Sequence, residues 1–299
     1  MNLIDGKLIS EQIKEEIKKE VAAMIDHGER APHLAAVLVG EDPASQTYVA
    51  SKEKNCTSVG ITSTIYRMDE TTSEKQLMDV IEFLNKDPEV DGFIVQLPLP
   101  KHLDEHKVIA AINPEKDVDG FHPENIGKMV LGLDTFISAT PFGIMEMLRR
   151  CQIETVGKHC VVIGRSNIVG TPMAILMSRT TNPGNTTVTL CHSKTKNLKE
   201  IAASADILIV AIGKPNFVTA DMVKEGAVVI DVGMHRVEDA TKKTGFRLTG
   251  DVDFPEVSKK ASWITPVPGG VGLTTIAALL MNTMKARRKA GKQMADLTK

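Results

Sequence analysis

Lys158-His-Cys-Val-Val-Ile-Gly164-Arg-Ser-Asn-Ile-Val-Gly170-Thr-Pro172 is the stretch whose reading decides the fold. An apolar, β-branched run ends at Gly164, a second glycine stands at Gly170, and Thr171-Pro172 opens a helical run. A strand passing through a glycine turn into a helix is the crossover that binds dinucleotides. Gly164 permits the tight turn, and Gly170 lets the helix approach the strand closely. The first N–H groups of the helix have no partner within it and suit a pyrophosphate. Ser166 stands where the middle glycine of the motif would be, so taken alone the stretch also fits a plain strand–turn–helix.

The flanking segments favour the nucleotide reading. Strands are expected at 158–163, 186–190, 206–212, 227–232 and 263–267, with helical segments between them. The first half alternates in the same way. Residues 9–25 carry Ile13, Ile17 and Val21 at helical spacing, and 34–40 is a short apolar run ending in Gly40. A helix from Pro43 to about Val59 has Asp42 as its cap and Gly60 at its end. Further strands are expected at 62–68 and 91–97, with a helix at 73–85 between them, and Pro98 and Pro100 stop the last strand. Apolar runs separated by amphipathic helices indicate parallel sheets covered on both faces. The fold expected is therefore α/β: two parallel-sheet domains, the second of Rossmann type, with a cleft between them. The break is expected near Thr140-Pro141, dividing 1–140 from 141–273, with a final helix at 274–299 returning to the first domain. The tail after Arg287 is charged and reads as frayed. No internal repeat is visible.

Composition narrows the function classes. The 299 residues suffice for two domains, and 42% hydrophobic residues mark a globular chain. A net charge of -2 gives no field to gather nucleic acid, and 4% aromatics offer few platforms for base stacking. Cys56, Cys151, Cys160 and Cys191 form no CxxC pair, which points to reduced thiols in the cytoplasm and to no metal. The charged start reads as lacking a signal peptide, and no run of roughly 18 apolar residues suggests a membrane span.

The strand after the glycine turn selects the nucleotide. Enzymes that take NAD usually carry an Asp or Glu near its end, about 20 residues on, for the ribose 2′-hydroxyl. Here Thr187-Val-Thr-Leu-Cys-His-Ser193-Lys194 contains no acid. Arg165 and Ser193 suit a 2′-phosphate, with Lys194 adding charge, so NADP is expected.

In the first half, Tyr48 and Lys52 share a helix face. By spacing alone Lys52 is one solvated lysine among many. Gln96, between Val95 and Leu97, either satisfies backbone or faces a ligand at the carboxyl edge of the sheet. Asp117-Val-Asp119-Gly120 is a turn with two carboxylates.

Six motifs then occur in order: Tyr48-Val-Ala-Ser-Lys52, Val95-Gln-Leu-Pro-Leu-Pro100, Lys116-Asp-Val-Asp-Gly-Phe121, Gly164-Arg-Ser-Asn-Ile-Val-Gly170, His192-Ser-Lys-Thr195 and Pro266-Val-Pro-Gly-Gly-Val-Gly272. With these the chain resembles, over nearly its whole length, the bifunctional methylenetetrahydrofolate dehydrogenase/methenyltetrahydrofolate cyclohydrolase enzymes. The resemblance implies that Lys52 is the catalytic lysine, Tyr48 its partner beside the folate ring and Gln96 the residue bonded to it. It implies that Asp119 recognises the amino-pyrimidine edge of the pterin. Val95, Leu97 and the loop Pro268, Gly269, Gly270, Val271, Gly272 would line the folate pocket. Gly164, Arg165, Ser166, Ser193 and the backbone of Met234 would hold NADP. A homodimer active in one-carbon metabolism and purine biosynthesis is likewise implied. The chain departs from the usual pattern at Leu273-Thr274, where Pro-Met is common, and at Ser138-Ala139, where Pro-Cys is common.

The implied chemistry is physically coherent. A folate nitrogen lone pair expels hydride from the bridging carbon of 5,10-methylenetetrahydrofolate, so the protein has mainly to orient the reactants. Water then adds to the cationic methenyl carbon, and ring opening gives 10-formyltetrahydrofolate, with Lys52 moving protons. Rival readings are a shikimate-type or amino-acid dehydrogenase, which would want a cationic clamp in its first domain, and a non-catalytic dinucleotide sensor, which would need no Tyr48/Lys52/Gln96 group.

Overall fold

The computed structural model describes residues 1–242 and 245–297. In chain order its strands are β1 (Asn2–Leu3), β2 (His33–Val39), β3 (Thr62–Met68), β4 (Gly92–Val95), β5 (His159–Ile163), β6 (Thr187–Cys191), β7 (Ile207–Val210), β8 (Val228–Asp231), β9 (His235–Glu238), β10 (Phe246–Thr249) and β11 (Trp263–Ile264). Its helices are α1 (Gly6–Asp26), α2 (Pro43–Ser58), α3 (Glu74–Lys86), α4 (Glu105–Ala111), α5 (Pro123–Leu131), α6 (Ala139–Arg150), α7 (Gly170–Ser178), α8 (Leu198–Ala203), α9 (Phe254–Val257) and α10 (Val271–Leu297). The chain forms two compact units, one of residues 12–139 with the chain from 276 onward, the other of residues 1–11 and 140–275.

The first unit holds a parallel sheet in the order β3-β2-β4. Every residue of β2 from Leu34 to Val39 is buried, so both faces of the central strand are covered. On one face Ala35, Val37, Val39, Phe93 and Val95 pack against Leu77, Ile81 and Leu84 of α3 and Val108 of α4. Ser73 and Gln76 close a capping box on α3, fixing where it starts. From α10, Asn282 Nδ2 donates to the carbonyls of Val118 at 2.8 Å and Ile137 at 2.9 Å.

The second unit holds a six-stranded sheet, β1-β11-β8-β7-β5-β6, with every pairing parallel. Its core includes Val161, Ile163, Leu208, Val210, Val229 and Ile264. Residues 1–11 group here rather than with the segment that follows them, because Asn2 and Leu3 pair with Trp263 and Ile264. The antiparallel hairpin β9–β10 was not expected, since its strands are short and half exposed. Helix α10 begins at Val271 and its backbone stays helical to Leu297, past the Arg287 at which fraying was expected. The last two residues of the expected 274–299 helix lie outside the described residues. Among the described residues, no helix is long and apolar enough to cross a membrane.

The two sheets share a clasp at their amino-terminal edge. In the first, the Asp91 carboxylate accepts the His33 N–H at 2.8 Å, and His33 Nε2 meets Thr64 Oγ1 of β3 at 2.9 Å. In the second, Asp206 accepts the His159 N–H at 2.9 Å, and His159 Nε2 meets Thr189 Oγ1 of β6 at 2.9 Å. The partners of the acids differ. Asp91 is buried and held by Arg30 through two bonds of 2.7 and 2.9 Å, whereas Asp206 meets Lys224 at 2.5 Å nearer the surface.

Candidate active site

Helix α2 follows the carboxyl end of β2. Asp42 caps it by accepting the Ser45 N–H at 2.7 Å, and Pro43 opens it. Tyr48 and Lys52 therefore lie one turn apart. Lys52 Nζ donates to Gln96 Oε1 at 3.1 Å. Gln96 lies just past β4, and its amide is oriented because Nε2 donates to the Leu97 carbonyl at 2.7 Å. Val95 turns its side chain into the core and so offers a ligand only backbone, while Leu97 packs partly against the same cluster. Tyr48 is 40% exposed, with its phenol pKa pushed up by burial, so the hydroxyl keeps its proton at neutral pH.

Asp119 sits on a turn built by its neighbour. The buried Asp117 carboxylate accepts N–H groups from Gly120 at 3.2 Å and His122 at 2.7 Å, and Asn125 Nδ2 at 2.9 Å. Gly120 has φ +73°, and a Cβ there would lie 2.6 Å from the Ser138 nitrogen. The Asp119 carboxylate has no hydrogen-bond donor among the described residues. Desolvation pushes its pKa up, Lys52 draws it down and Asp117 raises it again. Cys56, one turn beyond Lys52, is buried and its thiol is pushed up to about 12, so it stays protonated. The sequence offered Asp117 only as one of two turn carboxylates; that it builds the turn is visible only in three dimensions.

The nucleotide turn is equally defined. Gly164 has φ +124°, and a Cβ on it would overlap the Ala211 carbonyl. A Cβ on Gly170 would overlap the Gly164 carbonyl, so the turn admits glycine alone at both places. The N-cap of α7, Val169, supplies no side-chain acceptor. Ser166 Oγ accepts the Val169 N–H at 3.1 Å and, at 3.4 Å, that of Gly170. Arg165 and Ser193 are both exposed, and the Arg165 guanidinium makes no ion pair among the described residues. The turn after β6 is shaped by His192 N–H to Thr195 Oγ1 at 2.9 Å and by Lys194 N–H to His192 Nδ1 at 3.1 Å. This set fits a phosphorylated dinucleotide: a helix start with no carboxylate beside it, close backbone and an exposed cation. Met234 lies between β8 and β9 and is 43% exposed.

The loop expected at Pro268 to Gly272 is shorter than the sequence suggested. Pro268, Gly269 and Gly270 form it, whereas Val271 and Gly272 already belong to α10. Gly269 has φ +106°, and a Cβ on Gly270 would lie 2.5 Å from the Pro266 carbonyl oxygen. Thr274 is fully buried, its hydroxyl donating to the Val271 carbonyl at 3.0 Å. Gly143 approaches it so closely that a Cβ there would lie 2.8 Å from the Thr274 backbone. Ala139 N–H reaches the Asp119 carbonyl at 3.3 Å, so this departure from the usual pattern keeps a backbone tie to the Asp119 turn.

Comparison with known proteins places the chain in a family. Residues 4–119 match the tetrahydrofolate dehydrogenase/cyclohydrolase catalytic domain, and residues 138–291 match the NAD(P)-binding domain of the same family. The bifunctional protein FolD of Cytophaga hutchinsonii is 63% identical over 96% of this chain and 99% of its own length. That of Bacteroides fragilis is 59% identical over 97% and 99%. Among solved structures, the FolD dehydrogenase/cyclohydrolase of Campylobacter jejuni superposes with a TM-score of 0.91 at 48% identity, covering 97% of this chain and 99% of that one. The Trypanosoma brucei enzyme complexed with NADP and an inhibitor gives 0.90 at 36% identity, covering 96% and 97%. With both of its units matched in order by the two halves of one family, the chain belongs to the tetrahydrofolate dehydrogenase/cyclohydrolase family.

Proposed function

We propose that Lys52, Tyr48, Gln96 and Asp119 form the folate site, and that Gly164, Arg165, Ser166, Ser193 and the Met234 backbone form the NADP site, of a bifunctional one-carbon enzyme. The enzyme oxidises 5,10-methylenetetrahydrofolate to 5,10-methenyltetrahydrofolate with NADP, then hydrolyses the product to 10-formyltetrahydrofolate. The observation that carries the site reading is the Lys52–Gln96 hydrogen bond of 3.1 Å in the same unit as a desolvated carboxylate, Asp119, that has no donor among the described residues. A carboxylate so placed takes paired N–H donors from a pterin edge. Tyr48, with its phenol neutral, offers a ring face and a hydroxyl to the folate.

NADP supplies the hydride acceptor, and the side chains of the site need take no proton in that step. Hydrolysis does need proton movement. Lys52, held by the Gln96 carbonyl oxygen, receives a proton from the attacking water and returns one to the departing folate nitrogen. Gln96 accepts a hydrogen bond from the amine in either protonation state and brings no competing negative charge. The Val95 backbone and Leu97 line the folate. The three-stranded unit is read as the folate half and the six-stranded unit as the nucleotide half. A cytoplasmic homodimer supplying 10-formyltetrahydrofolate to purine biosynthesis completes the reading, and sedimentation velocity tests the dimer.

The test is to assay each half-reaction separately, with NADP and with NAD. Methenyl absorbance is expected to rise on addition of 5,10-methylenetetrahydrofolate and NADP, faster than with NAD, and then to decay. Lys52→Met is expected to slow hydrolysis by about a hundredfold to ten-thousandfold and the oxidation far less, so that methenyltetrahydrofolate accumulates. Unimpaired hydrolysis by that variant removes Lys52 from the mechanism.

A further inference from the structure

We propose that His235 and Asp251, supported by Asp231, are positioning residues for the hydride step, fixing the backbone that faces the nicotinamide. This rests on the reading of the Gly164 turn as the nucleotide site. Strand order reverses at β5, which has β6 on one side and β7 on the other. A dinucleotide lies across the carboxyl ends at such a reversal. The adenosine half, beside Arg165 and Ser193, lies toward β6. The nicotinamide half therefore lies toward β7 and β8, and the turns after those strands, 211–216 and 232–235, face it.

Those turns are held by two buried carboxylates. Asp251 Oδ2 accepts N–H groups from Ile212 at 2.8 Å and Gly213 at 3.1 Å, and Oδ1 accepts the Lys214 N–H at 2.8 Å and His235 Nε2 at 2.7 Å. Four donors use the lone pairs of one carboxylate fully. Asp231 Oδ1 accepts from Gly233 at 3.0 Å and Asp251 at 2.9 Å, and its Oδ2 accepts from Val252 at 3.0 Å. The Asp231 N–H donates to Thr265 Oγ1 at 2.7 Å, tying in the segment that leads to Pro266. No slack remains. A Cβ on Gly233 would lie 2.5 Å from the Asp251 carboxyl carbon, and one on Gly250 would overlap Asp231.

Two neighbouring acids buried without a lysine or arginine are a costly way to fill a core, where apolar residues of similar volume often serve stability as well or better. Their position explains the cost. Every backbone N–H they gather belongs to a turn at the carboxyl edge of the sheet or to the Asp251-Val252 segment between β10 and α9. His235 adjoins Met234, and its side chain is 20% exposed, the one member of the cluster to reach solvent. Its Nε2–H occupies the fourth acceptor site of Asp251. Without it Asp251 keeps three backbone donors but loses the one side-chain bond that fixes its carboxylate against the turn after β8, and the 212–214 backbone shifts with it.

The experiment is kinetic. His235→Leu is expected to lower dehydrogenase kcat by at least about tenfold, the scale of effect that small misplacement of reactants produces. The KM for NADP and the hydrolysis of supplied methenyltetrahydrofolate are expected to stay within about twofold. His235→Gln, which keeps an N–H donor, is expected to recover most of the rate. Arg165→Ala, at the adenosine end, is expected to raise KM for NADP with kcat nearly unchanged. An unchanged kcat in His235→Leu overturns the proposal, as does an equal fall in both half-reactions or a failure of His235→Gln to recover. If Arg165→Ala leaves KM for NADP unchanged, the nucleotide reading itself falls and takes the positioning role with it.

Discussion

The sheets β3-β2-β4 and β6-β5-β7 are built alike and used differently. Both start from a histidine clasped by an aspartate and a threonine, and both central strands end in a glycine of positive φ, Gly40 and Gly164. They part at the helix that follows. Helix α2 is capped by Asp42, so its first N–H groups are engaged and negative charge already stands at its start. Helix α7 begins from Val169 with no carboxylate: Ser166 takes the Gly170 N–H through its hydroxyl at 3.4 Å and the Thr171 N–H through its carbonyl at 3.0 Å, so the positive end of the helix carries no negative charge of its own. The same scaffold thus keeps a helix start free of negative charge, as the proposed phosphate site requires, when the cap is a neutral serine. It presents Tyr48 and Lys52 from a helix whose start already carries a charge when an aspartate supplies the cap.

The sharpest way to break this comparison is at the glycines. Gly170→Ala puts a Cβ onto the Gly164 carbonyl, and dehydrogenase activity is expected to fall by more than about a hundredfold while supplied methenyltetrahydrofolate is still hydrolysed. Gly40→Ala meets nothing nearer than 3.7 Å. Its cost is the left-handed backbone, about 1 kcal/mol, read by urea denaturation, with KM for NADP unaltered. Wild-type NADP turnover in Gly170→Ala would make the two turns interchangeable. The clasps offer a second contrast. Asp91→Asn leaves Arg30 facing a buried neutral group and is expected to cost about 3 kcal/mol, whereas Asp206→Asn, nearer the surface, is expected to cost about 1 kcal/mol. Equal urea midpoints for the two variants would show that burial does not separate the clasps.

The smallest effect concerns pH. Burial pushes Asp231 up to about 6 against three backbone N–H bonds, while Asp206 is lowered, first by the His159 N–H and then by Lys224. For Asp231 the folded value exceeds the ordinary carboxylate value of about 4. Its proton therefore favours the folded chain, and its contribution to stability rises as pH falls through 6. From pH 7 to pH 5 that gain is about 1 kcal/mol. The contribution of Asp206 has the opposite sign and is lost only as pH falls below about 4. Asp231→Asn, isosteric with the protonated acid, is expected to remove the gain, measured as the difference in unfolding free energy between the two pH values. An unchanged difference would show that Asp231 does not titrate in this window.

Much of the fold is legible because central parallel strands are continuous apolar runs between breakers. The strand expected at 62–68 coincides with β3, that expected at 34–40 is shifted by one residue from β2, and that expected at 158–163 starts one residue before β5. The elements that escape are two-residue strands such as β1 and β11, and the hairpin β9–β10, whose alternation is too short to register as a period. The same limit applies to the site. Lys52 and Gln96 meet at 3.1 Å only because α2 and β4 are folded together, and spacing alone leaves Lys52 one lysine among many. The Asp231–Asp251–His235 cluster escaped because nothing local distinguishes a buried acid at a strand end from a turn residue.

The pairing of β1 with β11 bears on how the chain is made. On the ribosome the amino terminus emerges first. Asn2 and Leu3 must then wait, unpaired, until Trp263 and Ile264 have been synthesised. The strands β2, β3 and β4 are complete in the nascent chain well before, yet Asn282, which ties Val118 and Ile137, leaves the tunnel later still. The six-stranded sheet is complete once β11 is out, whereas the three-stranded unit waits for α10, so a chain terminated just short of α10 leaves that unit alone without the tie that Asn282 supplies.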